Sequence, residues 1–147
     1  YLNIRTENTY LLMSSIAFDA STMQLWAPLL NGAKLALMYP QQYSFDDIEH
    51  VIKEEKVNVV NAVTELFNQL VDYNINSLKG LDQMLIGGEA LSVSHINKAM
   101  TAFPNMQIIN VYGPTENSNL TTTYPIPRIH ESSIPIGKPI PNSTVYI

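Results

Sequence analysis

The feature that most constrains the fold of this chain is the regular return of short apolar runs along it. Their starts lie 23 to 25 residues apart, and the five runs are Tyr10–Met13, Lys34–Met38, Val57–Val60, Leu81–Ile86 and Met106–Val111. That interval is about the length of one β-strand followed by one crossover helix. The spacing therefore predicts an alternation of strands and helices along most of the chain.

The segments between these runs have the periodicity of amphipathic helices. In the second of them, Ser44 is followed three residues later by Asp47, which is a variant of the capping box. Ser92 stands as a cap before the last one. The predicted helices are Ala20–Leu30, Phe45–Glu55, Glu65–Tyr73 and Ser92–Phe103. Strands and helices together predict an α/β, flavodoxin-like fold, a mostly parallel sheet with helices on both faces.

The last part of the chain has a different character. A strand is predicted at Leu120–Tyr124, and residues 125–141 then hold five of the nine prolines, which indicates an irregular connector. Thr144–Ile147 is apolar enough to begin a further strand. We therefore treat residues 1–147 as a single subdomain, with a βα-repeat layer over 1–124 and a connector with the start of a strand over 125–147.

Composition excludes several classes of protein. Hydrophobic residues make up 46% of the chain, which indicates a globular fold, and a net charge of −5 argues against nucleic acid or an anionic membrane as partner. The chain has no cysteine, so disulfides and thiol catalysis are excluded, and a reducing cytoplasm fits. No apolar run is long enough to span a bilayer.

Distinctive residues follow four of the five predicted strands at their carboxyl ends. They are Phe18-Asp19, Asn61, Gly87-Gly88-Glu89 and Tyr112–Glu116. Open parallel sheets bind ligands beyond the carboxyl ends of their strands. The convergence of these residues therefore predicts a binding site along one edge of the sheet.

The bend after the fifth run combines groups that suit a nucleotide. Gly113 and Pro114 force a turn, next to the ring of Tyr112, the hydroxyl of Thr115 and the carboxylate of Glu116. A ring can lie against a base, a hydroxyl can donate to phosphate, and a carboxylate can hold Mg²⁺. At this point an ordinary turn at a strand end remains the alternative.

Two further features have both a structural and a functional interpretation. Asp19 is either a helix N-cap that bonds amides near Thr22 or a counter-charge for a ligand ammonium group. The two glycines before Glu89 either form a tight turn or let a ligand approach the backbone, and Glu89 itself suits the start of a helix. The three histidines are scattered and predict no metal site, and no Ser-His-Asp order or Gly-rich phosphate loop is visible.

Taken in order, these motifs resemble the adenylation domains of nonribosomal peptide synthetases. The matching motifs are Phe18-Asp19-Ala20-Ser21, Gly87-Gly88-Glu89, Asn110–Glu116 and Ile136-Gly137-Lys138-Pro139. The Asn-x-Tyr-Gly-Pro-Thr-Glu string is typical of the adenylate-forming superfamily, and Phe-Asp-x-Ser narrows it to members that activate amino acids. The resemblance runs from about Tyr10 to Ile147 and implies the substrate-binding subdomain of the large domain of such an enzyme.

The resemblance implies an ATP-dependent ligase of antibiotic biosynthesis. Such domains use ATP and Mg²⁺ to convert an amino acid into its aminoacyl-adenylate, and then load the phosphopantetheine thiol of a carrier-protein domain, beside condensation domains. The family's phosphate loop, ribose-binding aspartate and small C-terminal domain have no counterpart in the sequence, so we expect the chain to be inactive without the rest of the adenylation domain.

The resemblance also implies roles for individual residues. Asp19 matches the carboxylate that pairs with the substrate ammonium, Tyr112 the ring that stacks on adenine, Thr115 the α-phosphate contact and Glu116 the magnesium ligand. Gly88, Glu89 and Asn110 match positions around the nucleotide. The residues that match the amino-acid pocket are Asp19, Ala20, Met23, Asn61, Leu85, Gly87, Val111, Gly113, Asn119 and Leu120.

The matched pocket has a predicted character. Gly87 is expected to open its floor, and most of its walls are apolar. This predicts a medium to large, mainly apolar substrate side chain with one polar end. Three alternatives remain open, namely an acyl- or aryl-CoA ligase, a D-alanine–carrier-protein ligase, and a non-catalytic flavodoxin-like binding module.

Overall fold

A computed structural model describes residues 2–38, 43–127 and 129–146, in which strands and helices alternate up to the fifth strand. The strands are β1 (Thr9–Leu12), β2 (Lys34–Leu37), β3 (Val59–Val63), β4 (Gln83–Gly87), β5 (Gln107–Tyr112), β6 (Thr122–Pro125) and β7 (Lys138–Pro139). The helices are α1 (Ala20–Leu30), α2 (Phe45–Glu54), α3 (Thr64–Asn74) and α4 (Val93–Ala102). The predicted alternation is confirmed, with α1 at its predicted bounds.

The strands form one sheet in the order β2-β1-β3-β4-β5-β6-β7. The first five strands are parallel, and β6 and β7 are antiparallel to their neighbours. The flavodoxin-like prediction is confirmed, because the first five strands have the 2-1-3-4-5 order of that fold. The chain reverses its direction across the sheet between β1 and β3, and this is the place where such folds bind their ligands.

Each face of the sheet has its own apolar cluster, because successive side chains of a strand point to opposite faces. Helices α2, α3 and α4 cover one face, where Phe67, Leu70, Met84, Ile86 and Ile96 are buried. Helix α1 covers the other face, with Met23 and Ala27 packed against the cluster that contains Tyr10, Val59, Leu85, Ile109 and Val111. Helices therefore lie on both faces, as predicted.

The two predicted serine caps have different outcomes. Ser44 forms the capping box of α2, since its hydroxyl accepts from the Asp47 amide and the Asp47 carboxylate accepts from the Ser44 amide. Ser92 precedes α4, but its hydroxyl makes no bond to the helix amides and instead lies 2.5 Å from His95 Nδ1. The prediction of a side-chain cap at Ser92 is wrong because its hydroxyl is hydrogen-bonded to the His95 imidazole.

The strand predicted over Thr144–Ile147 makes no pairing among the described residues. Residues 144–146 are in no strand, and Ile147 lies outside the described residues. The strand that follows β6 is β7, which pairs Lys138 with Thr123 inside the predicted connector. In the described ranges, every helix is too short or too polar to cross a membrane.

Candidate functional site

An open cavity of about 470 Å³ lies at the carboxyl edge of the sheet, where β1 and β3 part. Eight of the ten residues predicted for the amino-acid pocket line it, namely Asp19, Ala20, Asn61, Gly87, Val111, Gly113, Asn119 and Leu120. The other two, Met23 and Leu85, belong to the apolar cluster that packs between α1 and the sheet. Residues that are far apart in sequence thus meet at one site because each follows a parallel strand.

Asp19 lies at the start of α1 and is half-buried. Its backbone is already helical, with φ −59° and ψ −31°, and its carboxylate makes no capping hydrogen bond. The Thr22 amide instead bonds the backbone oxygen of Asp19 at 2.8 Å. The interpretation of this side chain as an N-cap is therefore wrong.

Asp19 lines the cavity and has no counter-charge among the described residues. No Lys, Arg or His is among the described residues that line the cavity, and none of the described ion pairs includes Asp19. Partial removal of a carboxylate from water costs free energy unless a cation or hydrogen-bond donors compensate. The site is therefore electrostatically suited to a ligand that brings a positive charge.

The bend after β5 and the start of α1 form one wall of the cavity. Asn119 Nδ2 donates to the backbone oxygen of Asp19 at 2.9 Å, across 100 residues of sequence. A Cβ atom on Gly113 would lie 1.9 Å from the Asn119 carbonyl oxygen, so only glycine permits this close return of the chain. Asn119 itself has a φ of 94°, a conformation that non-glycine residues seldom adopt. Backbone conformations of this kind are common at binding sites.

Gly87 lines the cavity, but the structure gives a different reason for the glycine. A Cβ atom there would lie 2.2 Å from the backbone oxygen of Val111, its partner on β5. The glycine is thus required by the close approach of β4 and β5, and an open pocket floor is a consequence. The turn that follows is held by Thr64, whose hydroxyl bonds the carbonyl oxygens of Gly87 and Glu89 at 3.2 and 3.1 Å.

The groups predicted to bind the nucleotide phosphates and metal lie just beyond β5. Thr115 and Glu116 are exposed in a short 3-10 turn, and Tyr112 is 45% exposed at the strand end. In the described part of the chain, no three His, Cys, Asp or Glu side chains cluster as a complete metal site. A single carboxylate nevertheless fits Mg²⁺, which proteins hold through one or two carboxylates together with substrate phosphates and water.

Of the three other residues that were predicted to lie around the nucleotide, not all lie at the carboxyl edge of the sheet. Gly88 lines the cavity, and Glu89 is exposed in the following turn. Asn110 is 4% exposed, and its side chain donates to the Pro135 carbonyl oxygen at 2.8 Å. The structure therefore does not bring Asn110 to the cavity, because this side chain points to the opposite face of β5 from Val111 and holds the connector.

Sequence reasoning missed two residues of the site, Gln24 and Thr64. Both are buried polar side chains whose hydrogen bonds hold the backbone that lines the cavity. Gln24 had a detectable signal, since it lies between Met23 and Ala27 on the face of α1 that packs on the sheet. A carboxamide on an apolar helix face indicates a buried hydrogen-bond partner.

Comparisons with known proteins identify the family of this chain. The chain matches the family model of AMP-binding enzymes over residues 1–147. It is 42% identical over 149 residues to part of a linear gramicidin synthase from Brevibacillus parabrevis, and 40% identical over 152 residues to surfactin synthase subunit 3 of Bacillus subtilis (strain 168). Each alignment covers the whole chain, but the chain spans only 2% and 12% of these relatives.

Solved structures show the same relationship. The chain superimposes with a TM-score of 0.90 and 34% identity on holo-PA1221, a nonribosomal peptide synthetase protein with adenylation and PCP domains, bound to a vinylsulfonamide inhibitor. That alignment covers 94% of this chain and 24% of PA1221. The Klebsiella oxytoca NpsA N-terminal subdomain in complex with anthranilyl-AMSN matches with a TM-score of 0.86 and 27% identity, over 93% of this chain and 36% of NpsA.

Proposed function

The chain belongs to the family of AMP-binding enzymes, and we propose that it forms the amino-acid-binding part of an adenylation domain in a nonribosomal peptide synthetase. In this proposal the complete domain uses ATP to activate an amino acid as its aminoacyl-adenylate. It then passes the acyl group to the phosphopantetheine thiol of a carrier domain in the same assembly line. Relatives that are peptide synthases, and a matched structure that joins adenylation to PCP domains, support this assignment.

The observation that carries the proposal is the uncompensated carboxylate of Asp19 in the cavity wall. A substrate ammonium group would supply the missing charge, and a carboxylic acid without an amine would leave Asp19 unpaired. Selectivity of this kind is large when a partly buried charge loses its partner. Asp19 acts here by binding and orienting the substrate, and it transfers no proton.

The other residues of the cavity indicate which kind of substrate side chain it would bind. Val111 and Leu120 give it apolar walls, while the side-chain amide of Asn61 makes no hydrogen bond to another described residue. We propose a medium to large, mainly apolar side chain with one polar group that bonds Asn61. An exchange assay over a panel of amino acids tests this, and a preference for glycine or for a charged side chain would contradict it.

The nucleotide binds, in this proposal, at the bend beyond β5. The ring of Tyr112 stacks on adenine, Thr115 donates to the α-phosphate, and Glu116 holds Mg²⁺. The metal ion and the hydroxyl offset negative charge on the phosphates as the substrate carboxylate approaches. Exposure of all three residues at one strand end is consistent with a ligand that lies across them.

The test is ATP–pyrophosphate exchange by the intact adenylation domain, meaning a complete domain that contains this chain. Asp19→Ala should lower kcat/KM for the amino acid by about 100-fold and leave the KM for ATP unchanged. Asp82→Asn removes a charge from the opposite edge of the sheet and is the matched control, with exchange expected near wild type. Exchange by Asp19→Ala that equals wild type would refute the proposal.

A second candidate is an enzyme that activates aryl acids. NpsA structures with anthranilyl and 3-hydroxybenzoyl analogues give it specific support. Under this alternative, exchange depends on an aryl carboxylic acid that lacks an α-ammonium group, and Asp19→Ala has little effect. The same assay with both substrate classes therefore separates the two candidates.

A further inference from the structure

We infer that Gln24 is a positioning residue for the amino-acid pocket, because its side chain fixes β1 and β3 at the separation that the pocket requires. The inference rests on the proposed function and deepens it. Gln24 is 3% exposed, lies in α1, and contributes to the lining of the cavity. Its role follows from a gap in the sheet.

The gap lies between the two strands that flank the cavity. Among the described residues, β1 and β3 are in register at one position only, Tyr10 with Val59. Each strand pairs along its length with its outer neighbour, β1 with β2 at four positions and β3 with β4 at five. At the amino edge, Asn58 still bonds the backbone of Thr9. At the carboxyl edge the two strands part, and the backbone alone does not join them.

The carboxamide of Gln24 fills this gap. Its oxygen accepts from the amides of Met13 and Ser14, at 3.1 and 3.0 Å, which follow β1. Its nitrogen donates to the Ser14 hydroxyl oxygen at 2.9 Å and to the Asn61 carbonyl oxygen on β3 at 3.1 Å. A carboxamide has two donors and an acceptor oxygen with two lone pairs, so all four bonds are used and the side chain is held in one position.

The bridge connects the two parts of the pocket that recognise different ends of an amino acid. Asp19 immediately precedes α1, five residues before Gln24, so Gln24 fixes α1, and with it the ammonium-binding carboxylate, relative to Asn61. Asn61 is the polar group proposed to bond the substrate side chain. None of the residues that Gln24 bonds belongs to the proposed nucleotide contacts, so loss of the bridge should affect the amino acid and spare ATP.

A purely structural role makes a different prediction, and the chain contains a matched control. Gln83 is also 3% exposed, and its side chain joins β4 to Asn3 at the amino edge, with Nε2 donating to the Asn3 carbonyl oxygen at 2.8 Å. Replacement of either glutamine by methionine conserves approximate volume and removes buried hydrogen bonds. Both variants should lose stability, but only the variant at position 24 should change substrate recognition.

The experiment compares wild type, Gln24→Met, Gln24→Glu and Gln83→Met as intact domains. We expect Gln24→Met to raise the KM for the amino acid by about 10-fold to 100-fold with the KM for ATP within about twofold of wild type. Gln24→Glu keeps the acceptor oxygen for Met13 and Ser14 but loses the donor to Asn61, which breaks the bridge to β3, and it places a buried carboxylate beside the Asn61 carbonyl oxygen. The KM for the amino acid should therefore rise at least as much as in Gln24→Met. Gln83→Met should leave both KM values unchanged.

Hydrogen exchange provides a readout that does not depend on activity. In Gln24→Met the amides of Met13 and Ser14 should exchange faster than in wild type, while in Gln83→Met they should keep their protection. Equal changes in the two KM values for Gln24→Met, unchanged values, or the same rise for Gln83→Met would overturn the inference. A wild-type domain that activates no amino acid would refute the proposed function instead, and the amide exchange would still decide whether the bridge exists.

Discussion

The carboxylates at the two edges of the sheet differ in their partners. At the amino edge, Asn58 bonds the Thr9 amide at 2.9 Å and Asp82 Oδ2 at 3.1 Å, and Asp82 also pairs with Arg5. At the carboxyl edge, the carboxylates of Asp19 and Glu116 have no ion pair with another described residue. The Asp82 carboxylate at the amino edge is paired within the protein, while the two carboxylates at the carboxyl edge have no such partner among the described residues.

This difference separates stability from function within a single sheet. A side chain whose hydrogen bonds are made within the protein leaves buried partners unsatisfied when it is removed. An uncompensated carboxylate costs free energy in the folded state, so its removal is tolerated or even stabilising while function is lost. Four substitutions follow in order of expected effect, and the pair Asn58→Ala and Asp19→Asn tests this contrast directly.

The largest expected loss of stability comes from a substitution at the carboxyl edge that disturbs the backbone of the sheet. Gly87→Ala would place a methyl group 2.2 Å from the Val111 carbonyl oxygen and force β4 and β5 apart. We expect the free energy of unfolding of the intact domain to fall by about 3 kcal/mol, measured by denaturant unfolding. A drop below about 1 kcal/mol would show that the strands can shift at little cost, and that the close approach is not what requires glycine.

The next effect is at the amino edge and compares the two edges directly. Asn58→Ala leaves the buried amide of Thr9 without its partner, so we expect a loss of about 2 kcal/mol in unfolding free energy with an unchanged KM for the amino acid. Asp19→Asn is the paired variant, and its unfolding free energy should stay within about 0.5 kcal/mol of wild type. The contrast between the edges fails if Asp19→Asn costs as much stability as Asn58→Ala.

The smallest effect is at an exposed cluster away from both edges. A hydrogen bond from His95, with the charges of His95 and Lys98, lowers the pKa of Asp72. Because the folded pKa lies below the unfolded one, the stabilisation is present above the unfolded pKa of about 3.9 and is lost as pH falls through the folded pKa. Asp72→Asn should therefore slightly lower the denaturant concentration at the midpoint of unfolding at pH 7. The difference from wild type should disappear as the pH falls below about 4. A difference of the same size at low pH, where the carboxyl is protonated, would contradict this cause.

The helices and parallel strands could be predicted from the sequence because local hydrophobic periodicity determines them. Helix α1 lies at its predicted bounds, and all five parallel strands overlap their predicted apolar runs. Alternation of strand and helix also determined the position of the cavity, because parallel strands place their carboxyl ends together. These features need no knowledge of contacts between distant residues.

What the sequence did not predict depends on such contacts. Nothing local indicated that Asn110 bonds Pro135, or that Ser92 bonds His95 and leaves the helix uncapped. Gly87 was expected to open a pocket floor, but the need for glycine comes from the backbone of β5. The strand beside β6 is β7, which lies within the connector that was predicted to be irregular.

The position of Gln24 within α1 has a consequence for anyone who wishes to exchange substrate preference between related enzymes. Helix α1, which follows Asp19, is joined to the ends of β1 and β3 by Gln24, a side chain that the predicted pocket did not include. A transplant that moves β1 without α1 would place the backbone of one enzyme against the Gln24 side chain of another, even if all lining residues were exchanged correctly. A segment transferred to change substrate preference must therefore include the helix together with both of the strands it joins.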